Sequence, residues 1–194
     1  FAAHNHVRVQ MGHPEWSWDE YKVHMRSSSR ELYPKLYGDR SQEAIDVLYD
    51  FYGAHHLAGL EVLPYAAELL AAVHDHKIPM GVVSNKKHEM LLRESTHLGW
   101  DKYFGPALVG AGAAVKDKPA ADPVSMVLKI MNIQPTQGTM WYVGDTITDM
   151  QTAQAANCNA VLVLNGEDKS DLISEFSPYL VVQDCRELAR ILAD

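Results

Sequence analysis

The chain has 194 residues and carries 17 Lys and Arg against 25 Asp and Glu, a net charge of −8. That length fits one domain, or a core with a smaller insert, and the acidic balance works against broad nucleic-acid binding, because a phosphate backbone is repelled by a surface of its own sign. Apolar residues make up 47%, enough for a packed core and too many for disorder, yet no uncharged apolar run reaches the roughly 18 residues of a membrane-spanning helix.

In residues 1–60 every strong signal is helical. Ala2–Met11 reads as a helix closed by Gly12 and Pro14. Ser17 followed by Glu20 is a capping-box pattern, opening a helix to about His24. A polar break runs from Arg26 to Arg30, with Ser28 and Glu31 spaced to cap a short helix that contains Pro34. Gly38-Asp39-Arg40 is a turn, and Ser41 is expected to cap a longer helix with Ile45, Leu48, Tyr49 and Tyr52 on one face. Residues 1–60 are therefore expected to form a small helical bundle, and 61–194 a separate α/β domain.

Beyond residue 60 strands and helices alternate. Pro64 suits the first position of a helix to about His74. Ile78–Ser84 is too short for a helix and reads as a buried strand, followed by a helix over Lys87–Leu98 that Gly99 stops. A second strand covers Ala107–Gly110, and Asp122-Pro123 opens a helix to about Asn132. A third strand, Met140–Gly144, precedes a helix to about Ala156; Ala160–Leu164 and Tyr179–Val182 are further strands, and Arg186–Leu192 is a closing helix. This alternation predicts a parallel sheet covered on both faces, with ligands at the carboxyl ends of its strands. Cys158 and Cys185 are the only cysteines and form no Cys-x-x-Cys. That pattern, with no visible signal peptide, places the chain in the reducing cytoplasm.

Three strand ends carry chemistry. The first strand ends in Ser84-Asn85-Lys86, a hydroxyl and an amide that either donate to an anion or cap the next helix. After the second strand, Gly110-x-Gly112 lacks the third small residue of a dinucleotide fingerprint. Lys118-Pro119, ahead of Asp122-Pro123, would hold one ammonium group over the sheet edge; taken alone, Lys118 reads as a solvated loop lysine whose loss leaves folding little changed. The third strand ends in Gly144-Asp145-Thr146-Ile147-Thr148-Asp149. Its two carboxylates either grip a hard cation, since Mg²⁺ takes one or two carboxylates plus waters and a phosphate oxygen, or serve the helix as N-cap and dipole partner. Hydroxyl, lysine and paired acids at three strand ends together suit phosphoryl transfer, where catalysis is mostly positioning and charge neutralisation.

At these positions the sequence resembles the haloacid dehalogenase-like hydrolases, in their phosphoglycolate-phosphatase-like branch. The matching residues are Gly81-Val-Val-Ser84-Asn85-Lys86, Lys118-Pro119 with Asp122-Pro123, and Tyr142-Val-Gly-Asp145 with Asp149, and Val62-Leu-Pro64 to Leu70 is similar to the family's return from cap to core. The resemblance implies a Rossmann-like parallel-sheet core with a small helical cap, a Mg²⁺ cofactor and a small phosphorylated metabolite as substrate. It implies that Ser84 hydrogen-bonds the transferring phosphoryl group with Asn85 assisting, that Lys118 neutralises charge on nucleophile and phosphoryl oxygens, that Asp145 binds Mg²⁺ directly, and that Asp149 does so directly or through water.

The family's first motif, a strand ending in Asp-x-Asp-Gly-Thr, does not occur; Asp50-Phe51-Tyr52-Gly53 lacks the second Asp and lies in a helical pattern. The resemblance therefore places that strand, with its nucleophile and acid/base Asp, about 10–20 residues before Phe1, the strand itself needing about 5–6 residues. A chain beginning at Phe1 is expected to be inactive, its sheet short of a central strand. In the cap, Arg26 and Arg30 either read a substrate carboxylate or belong to a solvated loop. Lys22 and Lys35 keep a phosphonate hydrolase open, and a phosphomutase or a non-catalytic binding protein of the same fold are further alternatives; Asp145 and Asp149 speak against a dehalogenase, which needs no metal. The ten histidines have no zinc spacing, nucleic acid and membrane are not expected partners, and no residue pattern specifies an oligomeric state.

Overall fold

The computed structural model describes residues 1–24, 29–134, 136 and 138–193. The chain divides into two compact units, Phe1–Leu60 and Glu61–Asp194.

The first unit is helical: α1 (Ala2–Gln10), α2 (Trp18–His24), α3 (Ser29–Tyr37), a 3₁₀ turn at Gly38–Arg40 and α4 (Ser41–His55). Val7, Tyr33, Ala44 and Leu48 meet in its core with Trp16 and Leu32. The link from α1 to α2 is held by Asn5, whose Nδ2 donates to the Trp16 carbonyl at 3.0 Å while the Trp16 N–H donates to Oδ1 at 2.9 Å. The capping box forms, the Ser17 N–H donating to Glu20 at 2.8 Å and the Glu20 N–H to Ser17 Oγ at 3.3 Å. Ser41 does not cap α4. It is the first helical residue, Arg40 stands before it without a side-chain cap, and an exposed Arg40–Glu43 fork at 2.9 Å ties the first turn instead. Arg26 and Ser28 lie outside the described residues; Arg30 sits in the first turn of α3.

The second unit runs α5 (Ala66–Asp75), β1 (Val82–Lys87), α6 (His88–His97), α7 (Asp101–Phe104), β2 (Leu108–Ala111), α8 (Asp122–Met131), β3 (Trp141–Gly144), α9 (Ile147–Ala155), β4 (Asn159–Val163), α10 (Ser170–Phe176), β5 (Leu180–Val182) and α11 (Cys185–Ala193). α5 starts at Ala66 rather than Pro64, because Tyr65 takes a left-handed conformation at φ 63°. β1 starts four residues later than the apolar run suggested. Pro79 has no N–H to give a ladder, and a Cβ on Gly81 would lie 2.4 Å from Val127, so that residue is packed against α8; pairing begins where the Val82 N–H meets the Ala107 carbonyl at 2.8 Å. Ser84, Asn85 and Lys86 therefore lie inside β1.

All pairing is parallel, but the described strands form two sheets, β1-β2 and β3-β4-β5, rather than one. Each has its own core. Val161, Val163 and Val182 pack with Leu188 of α11 and Leu69 of α5, while Ala107 and Val109 pack with Val127 of α8. β4 is buried on both faces, as expected. β3 is not: Trp141 and Val143, on one face of it, are 39% and 46% exposed. Among the described residues β1 pairs only with β2, and β3 only with β4 on its own side of the sheet.

Candidate active site

The carboxyl ends of the two sheets converge through side chains. Asn85, in β1, grips the backbone of Lys118 across 33 residues: its Nδ2 donates to the Lys118 carbonyl at 3.2 Å, and the Lys118 N–H donates to its Oδ1 at 3.1 Å. The loop carrying Lys118 is closed from below by Asp117, which is buried and accepts the Gly112 N–H at 2.9 Å. So held, Lys118 is not a solvated loop lysine. Its side chain is 12% exposed, and its Nζ donates to Asp149 Oδ1 at 2.7 Å, where Asp149 is 9% exposed. This ion pair joins the loop after β2 to the helix after β3, and so links the two sheets.

Asp149 is the most heavily bonded group of the site. Its other oxygen accepts from Thr146 Oγ1 at 2.6 Å, from the Thr146 N–H at 3.1 Å and from the Asp145 N–H at 3.2 Å. Thr146 Oγ1 in turn accepts the Asp149 N–H at 3.2 Å, so Thr146, not Asp145, is the N-cap of α9, with Asp149 as the acid of its capping box. Burial pushes the Asp149 carboxyl up, and the Lys118 charge and these hydrogen bonds outweigh it, leaving the group below its ordinary 3.8. Gly144 is required here by close approach: a Cβ on it would lie 2.3 Å from Asp149 Cβ.

Asp145 differs. Its carboxylate is half exposed, and burial, with the charges of Asp149 and Glu167, raises it above the usual range against the opposing pull of Lys169 and Lys118. Ser84 lies within β1 rather than at its end, its Oγ accepting the Lys86 N–H at 3.1 Å. Lys86 is paired with the buried Glu94 of α6. The structure thus brings Asn85, Lys118, Asp145 and Asp149 into one bonded network and places Ser84 next to its first member.

Lys169 was not anticipated from the sequence. It is buried beside Asp145 and donates to the Asp145 carbonyl at 2.8 Å. Its position shortly after β4 was the available signal, since a parallel sheet builds sites at every strand's carboxyl end. Among the described residues no three His, Cys, Asp or Glu side chains gather as a ligand set, and Lys22 is engaged with Asp19 on the surface at 2.9 Å.

The arrangement is an α/β fold with a lysine and two aspartates at its strand ends. The chain belongs to the haloacid dehalogenase-like hydrolase family, whose family model matches residues 1–163. It is similar to proteins named phosphoglycolate phosphatase, at 28% identity over 182 residues for the one from Escherichia coli O157:H7 and 26% for that from Salmonella typhi, covering 94% of this chain and 65% of each relative. The chain therefore spans less than two-thirds of the length of those curated relatives. Among solved structures, the haloacid dehalogenase-like family hydrolase from Streptococcus pneumoniae superposes with a TM-score of 0.81 at 18% identity, over 98% of this chain and 88% of that one. A HAD-superfamily hydrolase from Ehrlichia chaffeensis gives 0.65 at 24%, over 99% and 86%.

Proposed function

We propose that the protein is a Mg²⁺-dependent phosphoric monoester hydrolase acting on a small phosphorylated metabolite of the phosphoglycolate kind. The observation that carries this is the Lys118–Asp149 pair standing beside the open carboxylate of Asp145. The names of the relatives support the substrate class.

The donor set fits magnesium. Asp145 presents a carboxylate with room around it, whereas both Asp149 oxygens are occupied by Lys118 and the Asp145–Thr146 turn. Asp145 would hold the ion directly and Asp149 through water, which leaves the remaining positions for waters and a phosphate oxygen. The ion would supply Lewis-acid neutralisation of phosphoryl charge.

The chain's own residues do the rest. Lys118, aimed by Asn85 and Asp149, neutralises the equatorial oxygens as negative charge moves during transfer. The Ser84 hydroxyl, in β1 one residue before Asn85, donates to the phosphoryl group. The attacking carboxylate comes from an Asp-x-Asp strand, and the edges of β1 and β3 that no strand among the described residues covers are a seat for it: a strand bonded to both would satisfy two columns of backbone groups and bring its carboxyl end to Lys118 and Asp145. Residues 1–60 then serve as a cap that selects the substrate and excludes water.

The test is hydrolysis of phosphoglycolate and p-nitrophenyl phosphate by the full-length protein, with Mg²⁺ and with chelator. Activity should need the metal, and Asp145→Asn should remove most of it. Full activity in chelator, or an unimpaired Asp145→Asn variant, overturns the reading.

A further inference from the structure

Lys169 lies between β4 and α10 with its side chain only 6% exposed. Burying an ammonium group is costly unless its donors and its charge are met. Here they are: Nζ donates to the Asp145 carbonyl at 2.8 Å and to the Val163 carbonyl at 3.1 Å, and stands 3.8 Å from Asp145 Oδ2 and 3.4 Å from Glu167 Oε2.

Those two carbonyls are not arbitrary. β3 and β4 pair in register from Trp141↔Asn159 to Gly144↔Leu162. The next pair would be Asp145 and Val163, and there the ladder stops because the chain turns away into α9. The Lys169 ammonium takes its place, bridging the two residues that the strands no longer join. The Asp145 N–H is fixed from the other side by Asp149 Oδ2 at 3.2 Å. Both backbone polar groups of Asp145 are thus held by charged side chains, while its half-exposed carboxylate stands 3.8 Å from the same ammonium group.

We infer that Lys169 is a positioning residue that holds Asp145 in the orientation its carboxylate needs to bind the divalent cation. The inference rests on the magnesium site proposed above. Its sign separates it from the alternatives. A positive charge beside a cation site repels the cation, so a bystander lysine, once neutralised, would leave magnesium bound more tightly. A positioning lysine, once removed, leaves it bound more weakly, and losses of about 10-fold or more in affinity follow removal of groups that orient metal ligands. A lysine that only braces the fold would lower the melting temperature equally with and without the metal.

The experiment is calorimetric titration of the full-length protein with MgCl₂, paired with melting in MgCl₂ and in chelator, for the wild type, Lys169→Met, Lys169→Gln and Asp145→Asn. Lys169→Met should weaken magnesium binding about 10-fold or more and shrink the melting increment that magnesium gives. Lys169→Gln should fall between it and the wild type, because its amide can still donate to one carbonyl; it also carries the test should the methionine variant not fold. A folded lysine variant that binds magnesium as tightly as the wild type, or more tightly, while Asp145→Asn loses it, overturns the role of Lys169 alone. Asp145→Asn binding magnesium normally overturns the metal site, and this inference with it.

Discussion

Replacing Lys118 by Met keeps the aliphatic stem and removes the ammonium group from a pair that is almost fully enclosed. Asp149 then stays buried with three hydrogen bonds, from Thr146 Oγ1 and from two backbone N–H groups, but with no counter-charge in contact. Breaking a buried pair by removing one partner costs about 3–5 kcal/mol; the remaining donors put the expected loss near the lower end, about 3 kcal/mol. For a chain of this size that corresponds to a melting temperature lower by about 6–12 °C. The pH dependence carries the diagnosis. In the wild type the Asp149 pKa is depressed, so its contribution is complete above the ordinary value of 3.8 and is lost only as pH falls through the still lower folded value. In the variant, burial acts on Asp149 with Lys118 gone, and its pKa rises. The variant therefore sheds its penalty by taking up a proton, and the stability gap should narrow as pH falls from 7.5 toward 4. Urea denaturation at a series of pH values reads both quantities. A gap under about 1 kcal/mol at pH 7.5, the value of an exposed pair, or a gap that stays constant down to pH 4, would refute the reasoning.

Thr146→Val keeps the shape of the N-cap and removes the oxygen that both accepts the Asp149 N–H and donates to its carboxylate; it should cost about 1–2 kcal/mol of stability in urea denaturation. In the helical unit, His4 is buried with Nδ1 2.8 Å from the Tyr33 hydroxyl, and burial above all lowers its pKa to about 4. A histidine whose folded pKa is lowered leaves stability intact above the unfolded value near 6.5 and withdraws it as pH falls toward 4. His4→Gln should flatten the acid limb of the unfolding profile between those values, and an unchanged limb would exclude His4 as its source.

Much of the fold was legible because local signals agreed with tertiary ones. Asp122-Pro123 and Asn132 mark both ends of α8, and the run Ala160-Val-Leu-Val163 is a strand by composition and buried in fact. β1 was misplaced because apolar residues at Ile78 and Met80 outweighed Pro79 and Gly81, whose backbone constraints decide where pairing begins. At the site, the strand-end rule located Lys118, Asp145 and Asp149 but not what they bond. The Lys118–Asp149 pair spans 31 residues and two sheets, and no local pattern encodes it. The pattern Thr146-x-x-Asp149 is a local capping-box signature, and it forms. Lys169 fell in a stretch to which the sequence assigned no element, although α10 begins next to it.

The charges at the strand ends also constrain how the site works. Asp145, Asp149, Glu167, Lys118 and Lys169 contribute three negative and two positive charges within one cluster. Such a cluster carries a net charge of −1 by itself, and the charge of Asp149 is already matched by Lys118. A phosphate monoester brings about −1.5 to −2 at neutral pH, which the cluster cannot absorb alone. On the proposed reading a divalent cation held at Asp145 would supply the missing positive charge. On the proposed reading, substrate and magnesium therefore each bind more strongly when the other is present, and by linkage to the same degree. The two lysines divide the work. On the same reading Lys118 would neutralise the phosphoryl oxygens, whereas Lys169, enclosed between two strand-end carbonyls, would hold the turn that presents Asp145 to the ion.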